Sequence, residues 1–330
     1  MKSDTIKPRI FDIILFNTEL DWLEIRLKEL HESVDYFVVI ESALTFTKNP
    51  KPLNFRLNEH RFKSFRHQIL HVVVPTSELS DLSNTWDIEK WTRSYGFSEA
   101  LDIHKPVEGD WLMLSDLDEV PRASTVNAMK NPSRLSYPGR LFGDGTIGSG
   151  GDLFRLGCQF YYYSFEYRHE GSLWNGPVII RYREPDSRQL SRQRNEAQRN
   201  AIQDIMKDDW KDAGTKLREY RIKDEATFVD DACFHCSWCF SNLTQVVNKV
   251  EAYSHTEHNQ EKYKDRSWIL DRFRNGQDLF EREWDTFEYV ENNLDLPQYV
   301  LDNQDRFEYM LSRRGKANAG FIDVDPNDTQ

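Results

Sequence analysis

The sequence predicts an α/β fold with a mostly parallel central sheet flanked by helices. Three observations carry that expectation. Apolar runs of strand length recur through the first 115 residues, helical patterns separate them, and each run ends in polar or turn-forming residues. Residues 10–16, IFDIILF, read as a buried strand, and residues 17–21, NTELD, as a polar turn that can cap a helix. The helix covers residues 20–30, with Leu20, Leu23, Leu27 and Leu30 on one face. Residues 34–40, VDYFVVI, form a second strand ending at Glu41, and residues 69–74, ILHVVV, a third that Pro75 stops. The polar and aromatic stretch 87–104 is expected to be mainly helical, and residues 111–114 supply the fourth strand. Sheets of this kind take ligands beyond the carboxyl ends of their strands, which sets Asn17, Glu19, Glu41, Asp116 and Asp118 along one rim.

Farther along, residues 143–151, GDGTIGSGG, lack the Gly-Lys-Ser/Thr ending of a phosphate-cradling loop and read as a loop over a site or a linker. Residues 160–167 (FYYYSFEY) and 177–183 (PVIIRYR) look like strands, and 243–253 and 263–273 like helices. Residues 186–212, dense in Arg, Gln, Asn and Asp, read as a solvated helical excursion. No repeat or linker divides the 330 residues, so the chain is expected to fold as one domain.

Composition narrows the function. A formal charge of −12 argues against a nucleic-acid backbone as partner, because phosphate binding needs a basic surface that releases counterions. An anionic substrate needs a local exception, and a divalent metal is one way to supply it. No apolar run approaches the roughly 20 residues that span a bilayer, and MKSDTIKPRI has no signal-peptide core. The chain as given therefore reads as soluble and cytoplasmic. The aromatic fraction of 13% suits core packing, with sugar-stacking platforms as the sharper alternative. Cys158, Cys233, Cys236 and Cys239 leave a thiolate metal site short of a nearby fourth ligand. ACFHCSWCF reads more simply as a core element with small thiols inside, and a disulfide is the further option.

Most of the chemistry concentrates in DWLMLSDLDEVPR, residues 110–122. Asp116, Asp118 and Glu119 fit a solvated turn that caps the helix after Pro121. Two active readings compete with that one. Alternate residues leaving an extended strand point the same way, so Asp116 and Asp118 can face one hard cation that grips the diphosphate of a nucleotide-sugar. The string LMLSDLDEV also fits the haloacid-dehalogenase phosphohydrolase motif, with Asp116 as nucleophile and Asp118 as acid and base. That motif normally opens the sheet, whereas here it follows several strands.

Further blocks bear on the choice. FNTELDWLEIRLKEL, VDYFVVIESALTFTKNPKPL, SDLDEVPR, HCSWCF and PQYVLDNQDRFEYML, in this order, resemble the family-17 glycosyltransferases. The resemblance implies a GT-A-type nucleotide-diphospho-sugar transferase fold. Residues 8–135 would form the nucleotide-sugar-binding half, and 136–330 the acceptor-side half with C-terminal helices. It also implies UDP-N-acetylglucosamine as donor, manganese as cation, a glycan as acceptor and inversion at the anomeric carbon. Asn17, Glu19, Asp21 and Glu41 match its first two blocks and are assigned to the nucleotide pocket. Asp116 and Asp118 match its Asp-x-Asp, Asp116 serving donor and metal. His235 is the candidate third metal ligand, with a hydrogen-bonded core histidine as the alternative. Lys249 is the candidate to neutralise the diphosphate, with a surface lysine as the alternative.

An inverting transfer needs a base for the acceptor hydroxyl, and Asp230, Asp231 and Glu170 are the candidates, none at a matching family position. Trp174 and Trp238 offer sugar-stacking faces, core packing being the default for Trp238. Residues 143–232 depart from the family pattern, which leaves the acceptor open; the resemblance also implies a Golgi lumen if an anchor is missing. Sequons at Asn242 and Asn327 are compatible with that location. A carbohydrate-binding protein without turnover remains the non-catalytic alternative.

Overall fold

A computed structural model describes residues 7–130, 151–184, 187, 195–207 and 210–327. Its first half is the expected parallel α/β unit. Strands β1 (Ile10–Leu15), β2 (Tyr36–Ser42), β3 (Ile69–Val74) and β4 (Trp111–Asp116) lie in the order β4-β1-β2-β3, every neighbour parallel. Helices α1 (Leu20–Leu30), α2 (Asn54–Asn58), α3 (Thr76–Ser80) and α4 (Thr85–His104) connect them. Because β1 is covered on both faces, its side chains divide between two cores. Ile10 and Ile14 pack in one with Leu23, Leu27 and Leu30 of α1, and Phe11 and Ile13 in the other with Phe97 and Ala100 of α4. Each fully buried leucine of α1 stabilises the fold by about 2 kcal/mol.

Beyond β4 the sheet becomes mixed. The short strand β5 (Glu119–Pro121) and helix α5 (Ala123–Lys130) follow the carboxylate turn. Strands β6 (Leu153–Tyr162), β7 (Ser164–His169) and β8 (Trp174–Arg181) come next, with β8 antiparallel to both β4 and β6. The run FYYYSFEY, expected as one strand, is a hairpin: Tyr163 turns the chain at φ 68° between β6 and β7. Such a turn without glycine or proline has no composition signal to give it away.

Helices α6 (Glu196–Met206) and α7 (Ala213–Glu219) precede the long strand β9 (Thr227–Ser237). The expected solvated excursion, as far as it is described, is amphipathic: Ala201, Ile202, Ile205 and Met206 of α6 are buried in the second core. Residues 143–150 of the glycine-rich loop lie outside the described residues. Helices α8 (Leu243–Ala252), α9 (Glu261–Lys264) and α10 (Arg266–Asn275), strand β10 (Phe287–Tyr289), and helices α11 (Gln298–Asp302) and α12 (Glu308–Leu311) complete the chain. A third core lies between β6, β7 and α8 to α10.

All four cysteines are paired, Cys158 with Cys233 and Cys236 with Cys239. This corrects the reading of free thiols in the core and excludes a thiolate metal site, since no sulfur retains a lone thiolate. Gly176 permits the first bridge, because a Cβ there would lie 2.2 Å from the Cys158 sulfur. Among the described residues no helix is long and apolar enough to cross a membrane.

A carboxylate and arginine site at the sheet rim

The rim site is organised by a residue beneath it. Arg26 of α1 is fully buried and binds Asp12 of β1 through two contacts of 2.7 Å. It also donates to Ser115 Oγ (2.6 Å) and to the carbonyls of Asp116, Leu117 and Glu119, at 3.2, 3.3 and 2.7 Å. One guanidinium thus pins the backbone of the turn that carries all three carboxylates. Its planar fork suits several fixed oxygens at once.

Asp116 and Asp118 leave this turn into different surroundings. Asp116 faces two arginines: Arg218 donates to Oδ2 (2.6 Å) and Arg93 to Oδ1 (3.0 Å). Arg218 also grips Glu119 with contacts of 2.7 and 2.8 Å, and Glu119 accepts from the Asp116 amide and from Trp174 Nε1. Burial opposes ionisation of Asp116, but Arg218 and then Arg93 outweigh it and hold the carboxyl well below the ordinary range. Glu119 is likewise lowered, burial being overcome by Arg218. The close approach of α7 to α4 that brings both arginines here depends on Gly214, where a Cβ would lie 2.6 Å from the Arg93 carbonyl oxygen.

Asp118 has no such clamp. Its nearest basic nitrogens are His235 Nδ1 at 3.6 Å and Lys249 Nζ at 3.7 Å, both longer than a good hydrogen bond. Burial raises its carboxyl above the ordinary value; Lys249 and His235 oppose the rise, and Asp116 and Glu119 add to it. His235 faces Glu119 across the β5–β9 pairing and forms a three-ring cluster with Phe160 and Trp174, its centroid 4.9 and 5.0 Å from theirs, which are 5.5 Å apart. Arg221 lies over the Trp174 ring, 5.3 Å from its centroid, and donates a long hydrogen bond to the Asn175 carbonyl (3.4 Å).

The pH consequence of the arginine clamp follows from sign. Lowered native pKa values at Asp116 and Glu119 contribute stability that is complete above the unfolded carboxylate range of about pH 4 and lost as pH falls through the depressed values. Arg218→Gln removes much of the depression. Its acid-unfolding midpoint, followed by circular dichroism, is expected to move to higher pH than that of the unsubstituted protein.

The other expected site residues divide. The Asn17 backbone carbonyl accepts from Asn54, and among the described residues its buried Oδ1 has no partner. Glu19 caps the Thr18 amide, and Glu19 and Asp21 line a cleft of about 200 Å3 with Phe240, Asn242 and Gln245. Asp21 also holds Arg61, Arg306 and the Tyr309 hydroxyl, so much of its work is to fasten the C-terminal segment. Glu41 is 1% exposed and accepts from the Phe55 amide and His71 Nε2, both at 2.9 Å. Through these contacts Glu41 holds α2 on the sheet.

Lys249 is no free surface lysine; besides reaching Asp118, its Nζ lies 5.2 Å from the ring centroids of Trp238 and Phe240. Trp238 is core, packed edge-on against Phe240, Tyr253 and Phe280. Among the base candidates, Asp231 is paired with Arg122 at 2.6 Å and lies four residues before His235 along β9, so it serves the strand and not the rim. Asp230 is its exposed neighbour at the same level. Glu170 is exposed and follows His169, whose ring lies 5.3 Å from Phe160 in the same aromatic group as His235.

Arg93, Arg218, Arg221 and Arg26 were not singled out from sequence. LREYRIK, residues 217–223, sits in the charged stretch that reads as solvated, and its i, i+3 arginines were the available signal.

Comparison with known proteins gives the family of the chain. The model of the family described as glycosyltransferase family 17 matches residues 1–202 and 204–317. The rat and human beta-1,4-mannosyl-glycoprotein 4-beta-N-acetylglucosaminyltransferases are each 29% identical over 128 residues, 38% of this chain. The alignment spans 24% of the length of those relatives. A solved mannosyltransferase from Pyrobaculum calidifontis, in complex with GDP-Man and Mn2+, superposes with a TM-score of 0.35 and 12% identity, over 79% of this chain and 66% of its own.

Proposed function

The chain belongs to glycosyltransferase family 17, and from that premise we propose that it transfers N-acetylglucosamine from UDP-N-acetylglucosamine to a glycan hydroxyl, with inversion to a β linkage, on a GT-A-type scaffold. Family membership sets aside the phosphohydrolase and the non-catalytic carbohydrate-binding alternatives. The observation that supports the specific reading is the division of labour at the rim: Asp116 neutralised by arginines, Asp118 left with its oxygens uncommitted beside His235.

This donor set fits a divalent cation. Asp118 and His235 are a carboxylate and an imidazole side by side with no close hydrogen bond between their side chains, and Asp116 joins them on exchanging a guanidinium partner. When bound, a cation such as manganese supplies positive charge to the departing diphosphate. The remaining neutralisation comes from the chain itself. Lys249 at Asp118 and Arg221 on Trp174 are cations placed beside the carboxylates, and Arg218 turns to phosphate oxygens if Asp116 releases it. The unpartnered Asn17 Oδ1 offers an acceptor to the nucleotide.

In the transfer, the acceptor oxygen bonds to the anomeric carbon from the face opposite the diphosphate, the bond from that carbon to the diphosphate oxygen breaks, and the hydroxyl proton passes to a base. Glu170, exposed beside the His169–Phe160–His235–Trp174 rings, is the base we assign, with the Trp174 ring edge as the sugar-facing surface. Residues 8–135 supply Asn17 and the Asp-x-Asp of the donor side in this reading, and the remainder adds His235, Lys249, Arg218 and Arg221 to it and carries the acceptor side.

The test is product formation. UDP release from a panel of UDP-sugars, with a glycan array as acceptor source, should single out UDP-N-acetylglucosamine and give a β-linked product; a preference for another nucleotide or retention of configuration would overturn the reading. Arg221→Met is expected to weaken donor binding about 10-fold, as loss of one charge-assisted contact, with little change in melting temperature.

A further inference from the structure

We propose that His255, Glu257 and His258 form a second cation site, one for a borderline divalent ion of the zinc class, outside the Asp-x-Asp region. Among the described residues, the ligand atoms of these two histidines and one carboxylate all lie within 4.8 Å of one another. It stands on the 3₁₀ turn Thr256–His258, where residues three apart eclipse, so His255 and His258 present their rings side by side, centroids 5.9 Å apart. Glu257 Oε1 sits between them, 2.7 Å from His255 Nδ1 and 4.0 Å from His258 Nε2.

The rings are held in place by packing. His258 stacks on Phe280 at 4.1 Å, and His255 meets the edge of Trp86 at 4.6 Å. The turn closes on its own backbone, with His258 N–H donating to the His255 carbonyl and Asn259 N–H to that of Thr256. Two imidazoles and one carboxylate suit zinc, cobalt or nickel, and three protein ligands leave a position for water. A hard ion such as magnesium gains little from imidazole nitrogen, so the site should discriminate between ion classes.

Its location gives occupancy a route inward. Ser254, just before the trio, donates its hydroxyl to Glu89 at 2.5 Å, and its carbonyl accepts from Thr85. Glu89 in turn accepts from Arg93, the same guanidinium that holds Asp116. An ion at the turn therefore fixes one end of a hydrogen-bonded chain that ends at the first rim carboxylate.

The experiment is cobalt and zinc titration of the full chain after chelator treatment. One equivalent of cobalt should produce visible d–d absorption that zinc abolishes, in the unsubstituted protein and equally in Asp118→Ala. His255→Ala, an exposed change, should weaken binding by at least about 100-fold, and Glu257→Gln by about 10-fold or more. Zinc should also raise the melting temperature of the unsubstituted protein and not of His255→Ala. Cobalt absorption that survives in His255→Ala, that vanishes in Asp118→Ala, or that never develops at millimolar metal would overturn the proposal. None of these readouts depends on transfer activity.

Discussion

Asp118→Ala is expected to reduce the transfer rate by about 10³-fold, about 4 kcal/mol of transition-state stabilisation, without destabilising the protein. The two halves of this expectation come from one observation. Burial raises the Asp118 carboxyl, so the folded state disfavours its charge and holds it there at a cost. By linkage, a carboxylate raised on folding subtracts stability at neutral pH, and the subtraction disappears as pH falls through the raised value. Removing the carboxylate should leave the melting temperature unchanged or higher, while removing the ligand that supports charge on the departing diphosphate. Such a stability and activity trade-off marks a site residue. A variant that loses both stability and activity would place Asp118 in the framework instead.

The second large effect lies beneath the site. Arg26→Leu leaves Asp12 as a fully buried carboxylate without its cation, and is expected to cost about 3–5 kcal/mol in denaturant unfolding. Combining it with Asp12→Leu should restore most of that loss, since a buried ion pair is replaceable by apolar side chains of similar volume. Activity should not return with stability in the double variant. The carbonyls of Asp116, Leu117 and Glu119 lose their common donor, and the carboxylate turn loses the anchor that aims it. Full recovery of both properties would show that the turn is positioned by other contacts.

Particular residues show what the sequence made legible. The spans 20–30 and 69–74 coincide with α1 and β3 because apolar periodicity marks the helix and an apolar run stopped by Pro75 marks the strand. Asp116 ends β4, Asp118 stands in the turn after it, His235 lies near the end of β9 and Lys249 on the following helix; the structure brings His235 and Lys249 to Asp118. The arginines were not legible. Arg218 and Arg221 come from a segment whose charge density resembles a solvated face, and only the packing of Gly214 against α4 turns them inward. Arg26 left a clue: Asp12 interrupts the apolar run IFDIILF, and a charge inside a buried strand requires a buried partner. Arg26 stands on the apolar side of α1, between Leu23 and Leu27, where that partner had to come from. Glu41 and Asp231 also make framework contacts, Glu41 to a helix amide and Asp231 to an arginine, and such partners are not visible in the sequence.

The proposed transfer requires a donor diphosphate held at Asp118 through a divalent cation. The most direct measurement is calorimetric titration of UDP and UDP-N-acetylglucosamine into the protein, with and without manganese, alongside Asp118→Ala. Binding that requires manganese and disappears in Asp118→Ala is the predicted result; equal binding without manganese, or unchanged binding in Asp118→Ala, would contradict the account.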